Sequence, residues 1–455
     1  MRQWSIAYGF EEEYVIRTSI RRVLVYAGAC GFLWCLYLIA FYPGTMSPDS
    51  LDQWRQMLTF SFADTHPVFH TLCNWLITRV WLSPAAIALV QICFLATVVG
   101  FVLVQMEKAG VPRWACGGLA AIFALWPANG MYAVTLWKDV PYSASMLWLT
   151  GVLIAVVRTE GRWLYERRNR THLTVALLFV LMFRHNGVVP VVATLAAMAV
   201  MFREEWKRIV RVALMCLMAV FLLKGPVYSA LHVVPAAPWQ GMSMPIHQVA
   251  AMVHEGAALD AEERALLERI FPLDLWSKGY NRYTADTVVH HQKFDKAVFD
   301  ANSGAFARLW LHLAWQHPGV AIKDWARMTS LLWQVKEPED GYTFSTQKDI
   351  DPNVFGLESA HRMGFLEQGL MNVVQITESR EWNWLFWRPA LWMYLLIGAA
   401  AVLILRFGKG HLLLAVPVLA NAAGLLLTMP AQDSRYVYAT LLIVPVLGVM
   451  TLAKK

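Results

Sequence analysis

The chain alternates long apolar runs with short polar connections, until one polar segment of domain size interrupts this pattern. The runs that predict membrane spans lie at 23–41, 85–106, 114–127, 141–157, 172–183, 188–202, 212–223, 389–405, 411–428 and 437–452. A helix needs about 20 apolar residues to cross a bilayer, so the boundaries of the shorter runs are loose. Residues 68–82 are apolar but short and contain Asn74 and Arg79, which predicts a juxtamembrane or re-entrant helix. The pattern predicts an all-α polytopic membrane protein with about ten spans.

The pattern also divides the chain into three parts. Residues 1–224 form an N-terminal transmembrane module whose first outer loop covers 42–84. Residues 225–387 form the polar segment, where Asp260-Ala-Glu-Glu263 precedes an apolar-periodic run and indicates a helix start. Residues 388–455 form the C-terminal spans. We therefore expect a mostly helical domain between two groups of transmembrane helices.

Composition and charge support a membrane location. The chain is 57% hydrophobic and 16% charged, whereas soluble domains carry about 25% charged residues. The net charge of +7 comes with basic clusters, such as those at 158–170 and 203–211, that fall on one side of the predicted topology. The positive-inside rule assigns that side and both termini to the cytoplasm. The charge therefore indicates cytoplasmic loops rather than nucleic-acid binding.

Four polar clusters are predicted to meet on the outer side. Their members are Asp49, Asp52, Asp64 and His66, then Lys138 and Asp139, then Arg184, His185 and Asn186, and finally Asp433, Arg435 and Tyr436. Lys and Arg residues usually lie in cytoplasmic loops, so cations on the outer face indicate an anionic ligand. At the depth of the membrane interface, the expected anion is a lipid phosphate. Lys138, Arg184 and Arg435 are the candidate phosphate ligands. A nearby carboxylate could take the proton from an attacking hydroxyl group.

Several alternatives remain open on the residues alone. Asp49, Asp52 and Asp64 are nearly equal candidates for the base, and one of the first two could instead cap a helix that starts at Ser47-Pro48. Asp64 and His66 could join a metal site with Asp49 or Asp139, so a divalent cation such as Mg²⁺ or Mn²⁺ stays open although no cofactor is firmly indicated. Snorkelling is the expected role of Arg79, Lys224 and Arg388. Sugar stacking is a hypothesis for Trp54, Trp137 and Trp239.

These features resemble the GT-C superfamily of membrane glycosyltransferases. Members of that superfamily share a seven-span module, a first outer loop with a key Asp and juxtamembrane helices, and an acidic residue between spans three and four. Asp49, the 68–82 segment and Asp139 match those positions. Ser-Pro-Asp-Ser at 47–50, Asp-x-His-Pro at 64–67 and Pro-x-x-Gln-x-Ala at 245–250 are similar to an uncharacterised bacterial group within the superfamily. The Trp-Trp-Asp signature of oligosaccharyltransferases and paired acids in the second loop are absent.

The resemblance implies an inverting transferase in a bacterial inner membrane that uses Asp49 as its base. It would move a sugar from a polyprenyl-phosphate donor to a periplasmic glycan or a lipid-linked acceptor. Lys138, Arg184 and Arg435 would bind the donor phosphate, and the substrate-orienting residues would be Asp52, Asp64, His66, Asp139, His185, Asn186 and Tyr436. The alternatives are a polymerase or ligase of lipid-linked glycans and a transporter or flippase. Transport is less favoured because charges lie at span edges rather than span centres.

Overall fold

The protein is mainly helical in the part of the chain that the structure describes. The computed structural model describes residues 2–360 and 363–454, with side chains from Thr18 onward. Helices make up 74% of the chain, and the described residues contain no β-strand, only isolated bridges between loops. The predicted all-α class is confirmed.

The N-terminal part holds ten helices. They are α1 Arg2–Ala40, α2 Pro48–Thr59, α3 Val68–Thr78, α4 Pro84–Lys108, α5 Arg113–Leu125, α6 Pro127–Val134, α7 Asp139–Arg158, α8 Arg167–Phe183, α9 Val188–Met201 and α10 Trp206–Leu222. Short α2 and α3 occupy the predicted first outer loop, so the short helix expected at 68–82 is present as α3. A π-helical turn, Leu223–Val227, follows α10.

The predicted outer segment and the C-terminal spans contain the remaining helices. In the outer segment they are α11 Tyr228–Ala230, α12 Ser243–His254, α13 Ala261–Ile270, α14 Leu273–Lys278, α15 Asp286–Val289, α16 Lys296–Ala301, α17 Ser303–Gln316, α18 Pro318–Met328, α19 Ser330–Trp333, α20 Gly364–Glu378 and α21 Asn383–Phe386. The last three are α22 Ala390–Phe407, α23 Val416–Thr428 and α24 Tyr438–Met450. The Asp260 side chain starts α13 with a reciprocal capping box, as its sequence predicts.

Five of the helical stretches are long and apolar enough to cross a membrane. They are Thr18–Ala40, Pro84–Lys108, Asp139–Arg158, Arg203–Ala230 and Ala390–Phe407. Four shorter apolar stretches, Arg113–Leu125, His185–Met201, Val416–Thr428 and Ser434–Met450, coincide with other predicted spans. A multi-pass membrane protein is therefore supported, while the count of about ten spans stays a prediction.

Helix α7 lies at the centre of the membrane bundle. Almost every residue along it is buried, and it packs against α4, α8 and α24. Helix α1 crosses α4 where Gly100 faces the backbone of Val23, so the absence of a side chain allows the two helices to approach closely. Close packing therefore holds α4, and α7 against it, within the bundle.

The outer segment splits into two parts with different packing. Helices α12–α18 enclose their own aromatic core, which includes Phe271, Trp276 and Phe306. The chain then returns to the bundle through an extended stretch, residues 344–360, that we call the strap. Within the strap, Ile350, Phe355 and Leu357 pack against buried residues of the first outer loop. The strap therefore covers the loop that carries Asp49.

Replacing Gly100 with Ala should loosen the crossing of α1 and α4. An added Cβ atom would lie 2.4 Å from the carbonyl oxygen of Val23, so one helix backbone must shift. We expect a loss of about 1–3 kcal/mol in stability, measured as a lower midpoint of thermal unfolding in detergent. Gly118→Ala in α5 is the control, because an added Cβ there meets nothing within 4 Å. Equal midpoints for the two variants would contradict the close crossing.

Candidate functional site

The first outer loop is attached to the turn before α7 by backbone and side-chain hydrogen bonds. Thr45 donates its N–H to the carbonyl of Val134 at 3.0 Å, and Leu136 donates to the carbonyl of Thr45 at 3.0 Å. The Trp137 indole N–H donates to the Ser47 hydroxyl group at 2.9 Å. These bonds hold the start of α2 beside the start of α7.

Asp49 occupies the first turn of α2 but does not cap that helix. Pro48 begins the helix, and the N-cap residue Ser47 makes no capping hydrogen bond. The Asp49 carboxylate instead contacts Arg435 Nη1 at 3.1 Å and Lys138 Nζ at 3.4 Å. His66 Nε2 lies 3.6 Å from its other oxygen. Asp49 is thus the centre of an ion cluster built from three distant parts of the chain.

The cluster determines the ionisation of Asp49 and His66. Burial alone would raise the pKa of Asp49, but Lys138, Arg435 and His66 together lower the pKa well below its ordinary value. Burial, with Lys138, lowers the pKa of His66 to about 4, so the imidazole is neutral near pH 7. Lys138 lies 3.0 Å from His66 Nδ1, and an ammonium group can only donate. The Nε2–H of His66 therefore faces Asp49.

A second ion pair adjoins this cluster at the start of α7. Arg184 Nη1 lies 2.9 Å from Asp139 Oδ1, and both side chains are largely buried. Neither carboxylate oxygen of Asp139 makes a well-aligned hydrogen bond with the described residues. The Arg184 guanidinium lies over the rings of Tyr142 and Tyr436, at 5.4 and 5.1 Å from their centroids. Asp139 therefore holds Arg184 at the edge of the site.

Arg435 also pairs with Asp433, which the sequence placed in the fourth polar cluster but to which it assigned no role. Asp433 Oδ2 lies 2.7 Å from Arg435 Nε, and Asp433 is buried. Burial raises the pKa of Asp433 to about 6, although Arg435 opposes that change. The Arg435 guanidinium also lies 4.8 Å from the ring centroid of Trp137. The sequence feature that points to Asp433 is its position two residues before Arg435, in a polar turn between two apolar runs.

Asp64 and His185 form a neighbouring group rather than part of the Asp49 cluster. His185 Nε2 donates to the backbone carbonyl of Asp64 at 2.9 Å. The Asp64 carboxylate accepts from the N–H of Val68 at the start of α3 and lies 3.5 Å from Lys224 Nζ. Asn186 lies in the same turn as His185 and is half-buried. The Asp64 carboxylate therefore already has partners in the N-terminus of α3 and in Lys224.

Asp52 lies outside the cluster. Its carboxylate accepts from Arg55 at 2.7 Å and from Gln56 at 2.8 Å, one turn further along α2. The structure shows no ion pair between Asp52 and Lys138 or Arg435 among the described side chains. Asp49 and Asp52, which the sequence made nearly equal candidates for the base, therefore differ clearly in their contacts.

The residues expected to snorkel behave differently from one another. Snorkelling is wrong for Arg388, which is fully buried and donates to the carbonyls of Ser330 and Gln334 and to the Thr343 hydroxyl group. Lys224 pairs with Asp64, whereas Arg79 is exposed and lies over the ring of Trp75. Arg388 donates hydrogen bonds to backbone carbonyls where the outer segment meets α22, so its role is structural.

The three tryptophans considered for sugar stacking lie in different environments. Trp54 is buried in the core beneath the strap, and Trp239 lies under Lys296 in the outer segment. Trp137 alone of the three touches the cluster, through Arg435. Its ring lies 6.1 Å from that of Phe344 in the strap. Trp137 is therefore the one of the three that belongs to the site, where its buried ring supports the Arg435 guanidinium.

Backbone hydrogen bonds connect the strap to the loops that carry the Asp49 cluster. Phe344 donates its N–H to the carbonyl of Gln432, and Ser434 donates to the carbonyl of Phe344, at 2.8 and 2.9 Å. Met46 donates to the carbonyl of Asp349 at 3.2 Å, and Asp351 donates to that of Met46 at 2.9 Å. The loop of Arg435 and the loop of Asp49 are thus both bonded to the strap.

The described residues contain no group of three or more His, Cys, Asp or Glu side chains arranged to hold a metal ion. The two carboxylate oxygens of Asp49 already face cations and His66. The hypothesis of a site joining Asp64 and His66 with Asp49 or Asp139 has no matching donor set here. Asp64 is turned toward Lys224, and Asp139 pairs with Arg184. We therefore assign no step of the chemistry to a metal.

Removing the Asp139 carboxylate should destabilise the protein. Asp139→Asn leaves the buried Arg184 without its counter-charge, and breaking a buried pair in this way costs about 3–5 kcal/mol. Asp52→Asn disrupts an exposed pair and should cost less than about 1 kcal/mol. Unfolding midpoints in detergent measure both. A harmless Asp139→Asn would show that the pair contributes little.

Comparison with known proteins adds a family but no activity. Residues 62–330 match the model of a family described as "Family of unknown function (DUF6020)". The match includes Asp64, His66, Lys138, Asp139 and Arg184, and it excludes Asp49 and Arg435. No curated protein and no solved structure matches the chain. Because the match covers more than half of its length, the chain belongs to the DUF6020 family.

Proposed function

We propose that the protein is an inverting glycosyltransferase that uses a polyprenyl-phosphate-linked sugar as its donor. The observation that carries this proposal is the single carboxylate of Asp49 between Lys138 and Arg435, at the end of a membrane-spanning helix. Such a transferase needs fixed cations for a lipid phosphate and one carboxylate for the acceptor proton. Lys138 and Arg435 supply the cations, at 3.4 and 3.1 Å from the Asp49 carboxylate that supplies the base.

The proposed reaction exchanges one bond for another at the anomeric carbon. The acceptor hydroxyl oxygen forms a bond to that carbon from the face opposite the phosphate. The bond between the carbon and the phosphate oxygen breaks, and its electron pair leaves with polyprenyl phosphate. Asp49 takes the hydroxyl proton. Lys138 and Arg435 meet the negative charge that develops on the leaving phosphate, and such stabilisation is often the largest contribution to catalysis.

Asp49 gains basicity when the donor binds. Without a ligand its two cations keep the pKa low, and a carboxylate with such a pKa is a weak base. A phosphate group that takes Lys138 and Arg435 as partners offsets their charge. The effect of burial, which raises the pKa of Asp49, then dominates. In this proposal the donor itself prepares the base.

The other residues have supporting roles in the proposal. Neutral His66 directs its Nε2–H toward Asp49 and accepts from Lys138, so it keeps both in position. Asp139 holds Arg184, whose guanidinium can extend the cationic surface toward the donor. Trp137 and Tyr436 provide aromatic faces beneath Arg435. Asp52 has no part in the reaction as proposed here.

Surface glycans of a bacterial strain that lacks the protein provide the first test. We expect mass spectrometry to show the loss of a single sugar, and wild-type protein or Asp52→Asn to restore it. Asp49→Asn keeps the shape but not the basicity, so it should restore less than about 1% of the product. Equal membrane levels of the variants are checked by immunoblot. Full restoration by Asp49→Asn would refute its role, and unchanged glycans in the deletion strain would favour transport.

Donor binding should tighten as the pH falls through about 6. Asp433, with a pKa raised to about 6, takes up a proton there and stops neutralising Arg435. A phosphodiester donor keeps one negative charge over this range. We therefore expect a soluble prenyl-phosphoryl hexose to bind about three- to tenfold more tightly at pH 5 than at pH 7 in calorimetry.

The Asp433→Asn variant provides the control for that pH dependence. It should bind the probe more tightly than wild-type protein at pH 7, and its affinity should change less between pH 7 and pH 5. His66 stays neutral over this range because its pKa is about 4, so it contributes no slope. Binding that weakens toward acid in wild-type protein would contradict the assignment.

A further inference from the structure

A cavity of about 720 Å³ lies at the end of the helix bundle opposite the Asp49 cluster. Helix α7 connects the two, since Asp139 begins it and Arg158, which lines the cavity, ends it. The helix has 20 residues and is therefore roughly 30 Å long, about the thickness of a bilayer core. The cavity thus lies at the other membrane surface and is a separate site.

Four cations from four different segments line this cavity. They are Arg158 at the end of α7, Arg203 after α9, Lys409 after α22 and Lys454 after α24. Within the described residues, none of the four makes an ion pair with a carboxylate. Their charge is therefore available to a ligand.

The acidic lining residues do not cancel this charge. Glu205 is already bonded to Arg208 at 2.5 Å. Glu160 and Glu204 are exposed and face solvent as well as the cavity. With two free carboxylates against four free cations, the cavity keeps a positive excess. An anion is the ligand that this excess favours.

Apart from His411, the remaining wall is apolar. Ile154, Val157, Val200, Leu414 and Met450 line the cavity and come from four helical segments. A small inorganic ion makes no use of such a wall, whereas an acyl chain or another apolar group does. The combination of cations and apolar side chains fits an amphiphile with a phosphate group.

The rim of the cavity is held in place without a ligand. Arg406 donates to the carbonyls of Thr451 and Ala453, at 2.5 and 3.3 Å, and the N–H of Lys454 donates to the carbonyl of Gly110 at 3.1 Å. Gly408 has φ of 98°, which lets the chain turn sharply and bring Lys409 to the rim. The site is therefore largely preformed.

Topology alone explains many Lys and Arg residues at this membrane surface, but not their convergence on one cavity. Arg162, Arg168 and Lys207 are exposed cations at the same surface that do not line it. We propose that Arg158, Arg203 and Lys409 bind the phosphate group of an anionic amphiphile in this cavity. Basic pockets between transmembrane helices bind lipid headgroups in this way. The proposal is independent of the transfer reaction.

Native mass spectrometry of the full-length protein in detergent tests the proposal. The probes are phosphatidylglycerol, zwitterionic phosphatidylcholine and, as a soluble phosphate ester, uridine diphosphate. The cavity variant combines Arg158→Ala, Arg203→Ala and Lys409→Ala, and the matched control combines Arg162→Ala, Arg168→Ala and Lys207→Ala. We expect the cavity variant to bind phosphatidylglycerol about tenfold or more weakly than the control, with phosphatidylcholine unaffected.

Each outcome decides the proposal. A selective loss of phosphatidylglycerol binding supports the proposal, whereas a selective loss of uridine diphosphate binding would show that the cations bind a soluble phosphate ester and would overturn the amphiphile. Wild-type protein that binds neither, or a cavity variant that binds both as the control does, overturns it. If the triple cavity variant has a lowered unfolding midpoint, Lys409→Gln replaces it, since this residue is exposed. A loss of about threefold or more is then expected, and an unchanged affinity overturns the proposal.

Discussion

The Asp49 carboxylate binds two cations that come from opposite halves of the chain. Lys138 precedes the central helix α7, and Arg435 precedes the last helix α24, while Asp49 itself begins the first short helix of the outer loop. Three charged groups in a partly buried site stabilise one another only if all three are present. This interaction therefore connects the first loop to the starts of α7 and α24 at the site, and the strap adds backbone bonds to the same arrangement.

The same interaction gives the site its chemistry. Asp49, Asp139 and Asp433 face Lys138, Arg184 and Arg435, so the ligand-free cluster is close to electrically balanced. An anion can bind only by taking cations away from carboxylates. In the proposed reaction that exchange makes Asp49 a stronger base as the donor phosphate arrives. In that proposal the site is active only with its donor bound.

The fold was largely accessible from the sequence, because apolar runs and basic loops report burial in a bilayer directly. The site was accessible only as a set of candidates. Spacing along α2 could not separate Asp49 from Asp52, since that choice depends on Lys138 and Arg435, which are 89 and 386 residues away from Asp49. Snorkelling was the wrong expectation for Arg388, because its carbonyl partners, Ser330 and Gln334, lie at the two ends of the short helix α19, which the sequence pattern does not place beside α22. Asp433 gained importance only when its burial was known.

A structure of the protein with a non-hydrolysable polyprenyl-phosphoryl sugar, determined by cryo-electron microscopy in nanodiscs, tests the central claim most directly. The account predicts that phosphate oxygens lie within hydrogen-bonding distance of Lys138 and Arg435. It also predicts that the Asp49 carboxylate is released from at least one of them and turned toward the anomeric carbon. A phosphate bound elsewhere, with Asp49 still paired to both cations at their present distances of 3.4 and 3.1 Å, would contradict it.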